Sequence, residues 1–118
     1  MPRYLSLIRV DEQNPPAQGL SPEFHERMGA LFEEVTKAGV MEQTAGLTPT
    51  SEGTRVTWSG GRLSYTDGPF TETREVIGGY AILRAENKAE ALEWTKRFLE
   101  IHDDYITVTA ELREIAEG

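Results

Sequence analysis

The 118-residue chain contains no cysteine. This excludes a disulfide framework, a thiol nucleophile and any zinc or iron–sulfur site built on cysteine. It also fits a reducing compartment, so a cytoplasmic location is expected. Histidine is scarce: only His25 and His102 are present. Apolar runs are short, and none approaches the length of a signal peptide or a membrane span, so neither secretion nor a membrane partner is expected. Basic residues are outnumbered as well. Twelve Lys and Arg stand against twenty Asp and Glu, a net charge of −8, and no basic cluster interrupts the excess. The average field repels a phosphate backbone, so nucleic acid is not an expected partner.

What remains reads as one folded domain over 1–118. Hydrophobic residues make up 38% and charged residues 27%, enough apolar content for a core. Residues 3–10 are apolar on both faces, with Leu5 and Leu7 on one side and Tyr4, Ile8 and Val10 on the other. This predicts a central strand covered on both sides. Residues 11–20 hold two prolines and a glycine, a loop long enough to act as a lid.

Ser21-Pro22 opens a helix as N-cap and first helical residue. Phe24, Met28, Leu31, Phe32 and Val35 form its apolar stripe, and Gly39 ends it. A second strand is expected over 40–47. Residues 54–58 and 62–65 alternate around Gly60-Gly61, a β-hairpin pattern. Gly78-Gly79 introduces a strand over 80–84. Asn87 caps a second helix, with Glu90 completing a capping box and Ala91, Leu92, Thr95, Phe98, Leu99 and His102 facing inward. A last strand is expected over 105–113.

The order strand–helix–strand, hairpin, strand–helix–strand predicts an α+β, ferredoxin-like split βαβ fold with an inserted hairpin. Two helices cover only one face of such a sheet. The uncovered apolar face predicts a homodimer; a half-hydrated monomer sheet is the competing expectation.

Residues 67–79, DGPFTETREVIGG, resemble the signature of DGPF proteins, a branch of the YCII-related family. The start of the chain, Leu20-Ser21-Pro22-Glu23, Ala38-Gly39-Val40 and Glu90-Ala91-Leu92-Glu93-Trp94 extend the likeness over nearly the whole length. The resemblance implies a ferredoxin-like subunit paired into a dimeric α+β barrel. Physically, Asp67 is suited to bond following backbone amides, Gly68-Pro69 to make a tight turn, and Phe70 to plug an apolar surface. Glu72, Arg74 and Glu75 set one cation between two anions, and Arg74 is suited to grip a substrate carboxylate. The same cluster is also what a surface ion-pair group looks like. Gly78 and Gly79 suit a bulge or a close backbone approach. Tyr65 and Tyr80 flank the segment as candidate ligand-binding aromatics.

The resemblance further implies a His–Asp pair, with the Asp near the end of the first helix and the His near its start. His25 lies close to that place, one residue out of register. Thr36-Lys37-Ala38-Gly39 stands where the family carries its Asp, which leaves Asp67 as the substitute candidate. A neutral His25 at a helix start is suited to general-base chemistry. His102 with Asp103-Asp104 offers too few converging ligands for a metal, and no cofactor fingerprint is present. Two functions stay open. One is a small-molecule enzyme of the lyase, isomerase or cofactor-independent oxygenase kind, with His25 and Asp67 moving protons and Arg74, Glu72, Glu75, Tyr65 and Tyr80 holding the ligand. The other is a non-catalytic ligand sensor or accessory regulator; DGPF proteins resemble accessory partners of alternative sigma factors.

Overall fold

In the computed structural model, which describes residues 1–117, the chain runs β1 (Arg3–Val10), α1 (Pro22–Lys37), β2 (Met41–Gly46), a short 3-10 turn (Thr50–Glu52), β3 (Thr54–Ser59), β4 (Arg62–Asp67), β5 (Val76–Arg84), α2 (Lys88–Glu100) and β6 (Thr109–Glu114). Four strands form one antiparallel sheet in the order β2-β5-β1-β6, and β3 pairs only with β4. With β1 and β5 central and both helices following sheet strands, this is a ferredoxin-like α+β fold carrying an inserted hairpin.

Alternation along β1 decides the layers. Tyr4 and Ser6 are buried, and Ser6 lies opposite Ala81 and Leu112, while Tyr4 lies opposite Leu83. Around them Tyr4, Ala85 and Ala91 form one cluster, and Val35, Val40 and Leu83 form another against Trp94. Burying a residue such as Leu83 contributes about 1.5–3 kcal/mol. The intervening residues Leu5 and Leu7 pair with Ile82 and Tyr80 and face away from the helices. That open side also carries the Arg9–Glu111 ion pair at 3.2 Å.

The helix starts form where short-range chemistry dictates. Ser21 accepts from the Phe24 N–H at 3.0 Å, and Asn87 accepts from the Glu90 N–H at 3.0 Å. The Glu90 carboxylate reaches back to the Glu86 N–H at 3.0 Å. Gly39 follows α1 with φ +72°, a conformation that favours glycine. On α1 the inner stripe is anchored by buried Phe24 and Val35, whereas Phe32 is about half exposed. On α2, Leu92 lies outside the inner face at 41% exposed, and Trp94 takes its place against the core.

Three expectations need correction. β5 begins at Val76, four residues earlier than the glycine pair suggests. Gly78-Gly79 is a bulge within the strand: Ile8 pairs with Gly79 and Arg9 with Ile77, skipping Gly78. A Cβ on Gly78 would meet Val10 Cγ2 at 2.9 Å, which is why glycine stands there. β6 begins only at Thr109. Residues 105–108 alternate like a strand, but the β1–β6 ladder ends at Arg9–Thr109, and the backbone instead makes a turn in which Ile106 N–H donates to Asp103 O at 3.0 Å. β4 extends to Asp67, so the signature segment leaves directly from the hairpin.

The signature turn is held by its neighbours. Gly68 N–H donates to Gly53 O at 2.9 Å, and Phe70 N–H donates to Thr50 Oγ1 at 3.2 Å. Thr50 in turn donates through its hydroxyl to Glu12 and through its N–H to Glu12 Oε2 at 3.2 Å. A Cβ on residue 68 would fall 1.6 Å from Thr50 O, so only glycine fits. No helix of the described residues is long and apolar enough to cross a membrane.

Candidate functional site

The bulge, the late start of β6 and the two helix ends all fall at one end of the sheet. Between them lies an open cavity of about 1020 Å³. Its floor is the end of β1, Ile8 and Val10. Its walls bring together His25 from the first turn of α1, Arg74 and Glu75 from the signature segment, and His102 and Tyr105 from the loop after α2. The loop 11–20 forms the rim, fastened at two points. Gln13 Nε2 donates to Thr71 O at 3.0 Å, and Tyr105 OH donates to Gly19 O at 2.7 Å.

Each polar group on the wall has a definable state. His102 Nδ1 lies 3.1 Å from both Phe98 O and Leu99 O. Carbonyls only accept, so Nδ1 carries a proton directed at them, and Nε2 is the ring nitrogen left for another partner. The His102 ring packs on Phe24 and Phe98, with centroids 4.8 and 5.1 Å apart. His25 is exposed and stands edge-on to Phe24 at 5.4 Å. Phe24 therefore touches both imidazoles.

Behind the wall, Asp103 accepts from Ser21 Oγ at 2.7 Å and Ser21 N–H at 3.1 Å, and pairs with Arg27 at 3.3 Å. The Ser21 hydroxyl, helped by the Ser21 N–H and Arg27, holds the Asp103 carboxyl below its usual range. Desolvation, with the nearby Asp103 charge, pushes the Tyr105 phenol up. Asp103 thus ties the end of α2 to the start of α1, which sets the distance across the cavity.

The acids on the wall are engaged. Asp11 accepts from Gln13 N–H at 3.1 Å and Asn14 Nδ2 at 3.0 Å. Glu12 holds Thr50, and Glu75 accepts from Thr109 Oγ1 at 3.4 Å. Arg74 has no ion pair or side-chain hydrogen bond among the described residues. An open guanidinium in a cavity that two imidazoles also line is suited to take a carboxylate or another planar anion.

The other residues singled out from the sequence lie elsewhere. Asp67 is at the base of the hairpin, accepting from Thr54 Oγ1 at 2.9 Å. Glu72 pairs with Arg55, whose guanidinium lies 3.8 Å from the Phe70 ring centroid. Tyr65 is exposed on β4, and Tyr80 accepts from Gln43 Nε2 at 2.7 Å. Tyr80 also borders a second cavity of about 390 Å³ beneath the helices, whose walls are almost wholly apolar and carry no charged side chain. His102 and Tyr105 were not among the expected site residues. Their one signal was the position of His102 on the inner face of α2; nothing in the local pattern announces that 105–108 leaves the sheet. Among the described residues, no group of three or more His, Asp or Glu is placed to hold a metal ion.

The sheet order, the helix layer and the loop-end cavity define the class: a ferredoxin-like α+β protein whose polar groups gather where its connections meet. The family model described as the YCII-related domain matches residues 4–113, and the chain belongs to the YCII-related family. A search of curated proteins gives no match.

Proposed function

We propose that this protein binds a small organic anion in the loop-end cavity and catalyses proton transfer on it. Arg74 holds the anionic group, and His25, with His102 Nε2 as the second candidate, takes or returns the proton. The observation that carries this reading is that Arg74 alone among the charged groups of the wall is unspent, and it shares the cavity with two imidazoles. The net charge of −8 works against anion entry, so the pull must be local, which makes Arg74 decisive. Asp67 has no part in this chemistry.

The test is a thermal-shift screen of small carboxylates and phosphates at neutral pH, since a bound ligand raises the melting temperature by mass action. A hit that disappears in Arg74→Ala and persists in Asp67→Ala supports the assignment. His25→Gln should keep the shift while abolishing proton exchange at the ligand's acidic carbon, followed by deuterium incorporation. A shift unchanged in Arg74→Ala refutes it.

The working form is a homodimer joined through the open sheet face. What supports this is surface. The lone chain exposes 8154 Å², whereas a compact monomer of 13.2 kDa exposes about 6,400 Å². Doubled for a pair, the excess of about 1,700 Å² falls in the size range of obligate dimers. Sedimentation as a lone subunit at micromolar concentration would refute it.

A further inference from the structure

The hairpin β3–β4 has an apolar face that nothing in its own chain covers. Cross-strand pairing sets Val56 opposite Tyr65 and Trp58 opposite Leu63, so all four side chains lie on one face. They are 56%, 68%, 70% and 56% exposed. A two-stranded hairpin is marginal in water without an apolar surface to pack on. An exposed apolar patch of this kind marks an interaction surface.

The hairpin is not free to fold that face back onto its own body. Its opposite face turns inward at the base, where Arg55 stacks on Phe70, pairs with Glu72 and donates to Thr73 Oγ1 at 3.4 Å. Arg55 and Val56 are consecutive, so holding one inward points the other outward. At the tip Gly60 and Gly61 have φ +59° and +76°, the signs that a tight two-residue hairpin turn requires. The arm therefore leaves the body with a set direction and a set outer face.

We infer that this face, Val56, Trp58, Leu63 and Tyr65, docks on a second copy of the chain, each subunit of a pair laying its arm across the other. The inference rests on the homodimer reading and adds a contact distinct from the open sheet face. A second copy is favoured over another partner for two reasons. The arm needs cover whenever the chain is made, because it has no fallback surface of its own, and an identical subunit is present at matching concentration at all such times. The lone chain exposes about 1,700 Å² more than a compact monomer of its mass, roughly twice the 800 Å² that a standard-size contact removes from one partner, so a companion interface fits beside the sheet face. Two-fold symmetry lets both arms engage equivalently.

The absence of cysteine permits a direct test. Leu63→Cys and, as control, Ser64→Cys on the opposite face are labelled with a maleimide photo-crosslinker in the purified full chain. Their oligomeric state is followed by sedimentation in parallel. A covalent dimer from position 63, with little or none from 64, is expected. Trp58→Glu should raise the dimer dissociation constant by roughly 30-fold, as for a central aromatic contact, with far-ultraviolet dichroism unchanged. A dimer by sedimentation that gives no cross-link from position 63 overturns the arm contact and leaves the sheet-face dimer standing. A lone subunit at all concentrations overturns both.

Discussion

Replacing Gly68 with alanine should unfold the signature turn at a cost that can be worked out from its neighbours. The new methyl would lie 1.6 Å from Thr50 O, 2.6 Å from Thr50 C and 3.3 Å from Ser51 N. All three are backbone atoms, so no side chain can swing aside. Relief to an ordinary contact of about 3.4 Å needs a main-chain shift approaching 2 Å. That shift breaks Gly68 N–H to Gly53 O and Phe70 N–H to Thr50 Oγ1, and loosens Glu12 from Thr50. Each lost bond costs about 0.5–1.5 kcal/mol, and residual overpacking adds about 1–3 kcal/mol. A net loss of about 2–6 kcal/mol is a large part of the 5–15 kcal/mol typical of a domain. At roughly 4 °C per kcal/mol for a chain of this length, the melting temperature should fall by about 8–24 °C. The assay is thermal melting followed by dichroism or calorimetry. Gly46→Ala is the control, because a Cβ there meets nothing within 4 Å, and it should change stability by less than about 1 kcal/mol. A Gly68→Ala protein melting within about 2 °C of the parent would refute the reasoning.

Gly29 lies inside α1 with open space where a Cβ would go, so Gly29→Ala should stabilise by about 0.5–1 kcal/mol, read as a melting temperature a few degrees higher. Ser21→Ala removes the α1 cap and should cost about 0.5–2 kcal/mol. Asp103 bears on pH. Its folded carboxyl is held below the usual range by Ser21 and Arg27, so its contribution is fully present above the ordinary carboxylate range and is lost as pH falls through the folded value. Ser21→Ala should therefore flatten the acid side of the stability profile as well as lower it, measured as melting temperature against pH.

The parts legible in the sequence are those that local chemistry decides. Ser21-Pro22, Asn87 with Glu90, and Gly60-Gly61 each settle a helix start or a turn with side chains a few residues apart, and each element begins where they say. Alternation in β1 correctly separates Leu5 and Leu7 from Tyr4 and Ile8. What failed depended on a neighbour. Gly78-Gly79 reads as the border of a strand, yet it is the interior of one, because Val10 of β1 needs the room above Gly78. Tyr105 to Val108 alternates as well as any strand in the chain, yet the partner it would need has already turned away at Val10. Leu92 shows the same dependence on a helix: period alone puts it inward, and the neighbouring β6 and α1 surfaces favour Trp94.

The cavity was legible only in pieces for the same reason. Its wall is built from residues near 8–25, 74–75 and 102–108, mostly in connections, where no periodicity links one segment to another. His25 and Arg74 stand out by chemical type, but Asp67 was joined to His25 only as a stand-in for the family's missing Asp, on the expectation that both segments border one cleft, and the motif divides. Asp67 belongs to the hairpin base, Gly68 and Phe70 to the packing on Thr50, and Arg74 and Glu75 to the cavity. One short segment therefore serves three mechanical roles, and contiguity in sequence says little about which residues act together. This division also separates the consequences of mutation. Changes at Asp67 act on the foot of the hairpin, changes at Gly68 act on the stability of the turn, and changes at Arg74 act on ligand binding with the turn intact. A variant set that scrambled those three outcomes would mean that the segment works as one unit, and the assignment of Arg74 to the ligand would lose its footing.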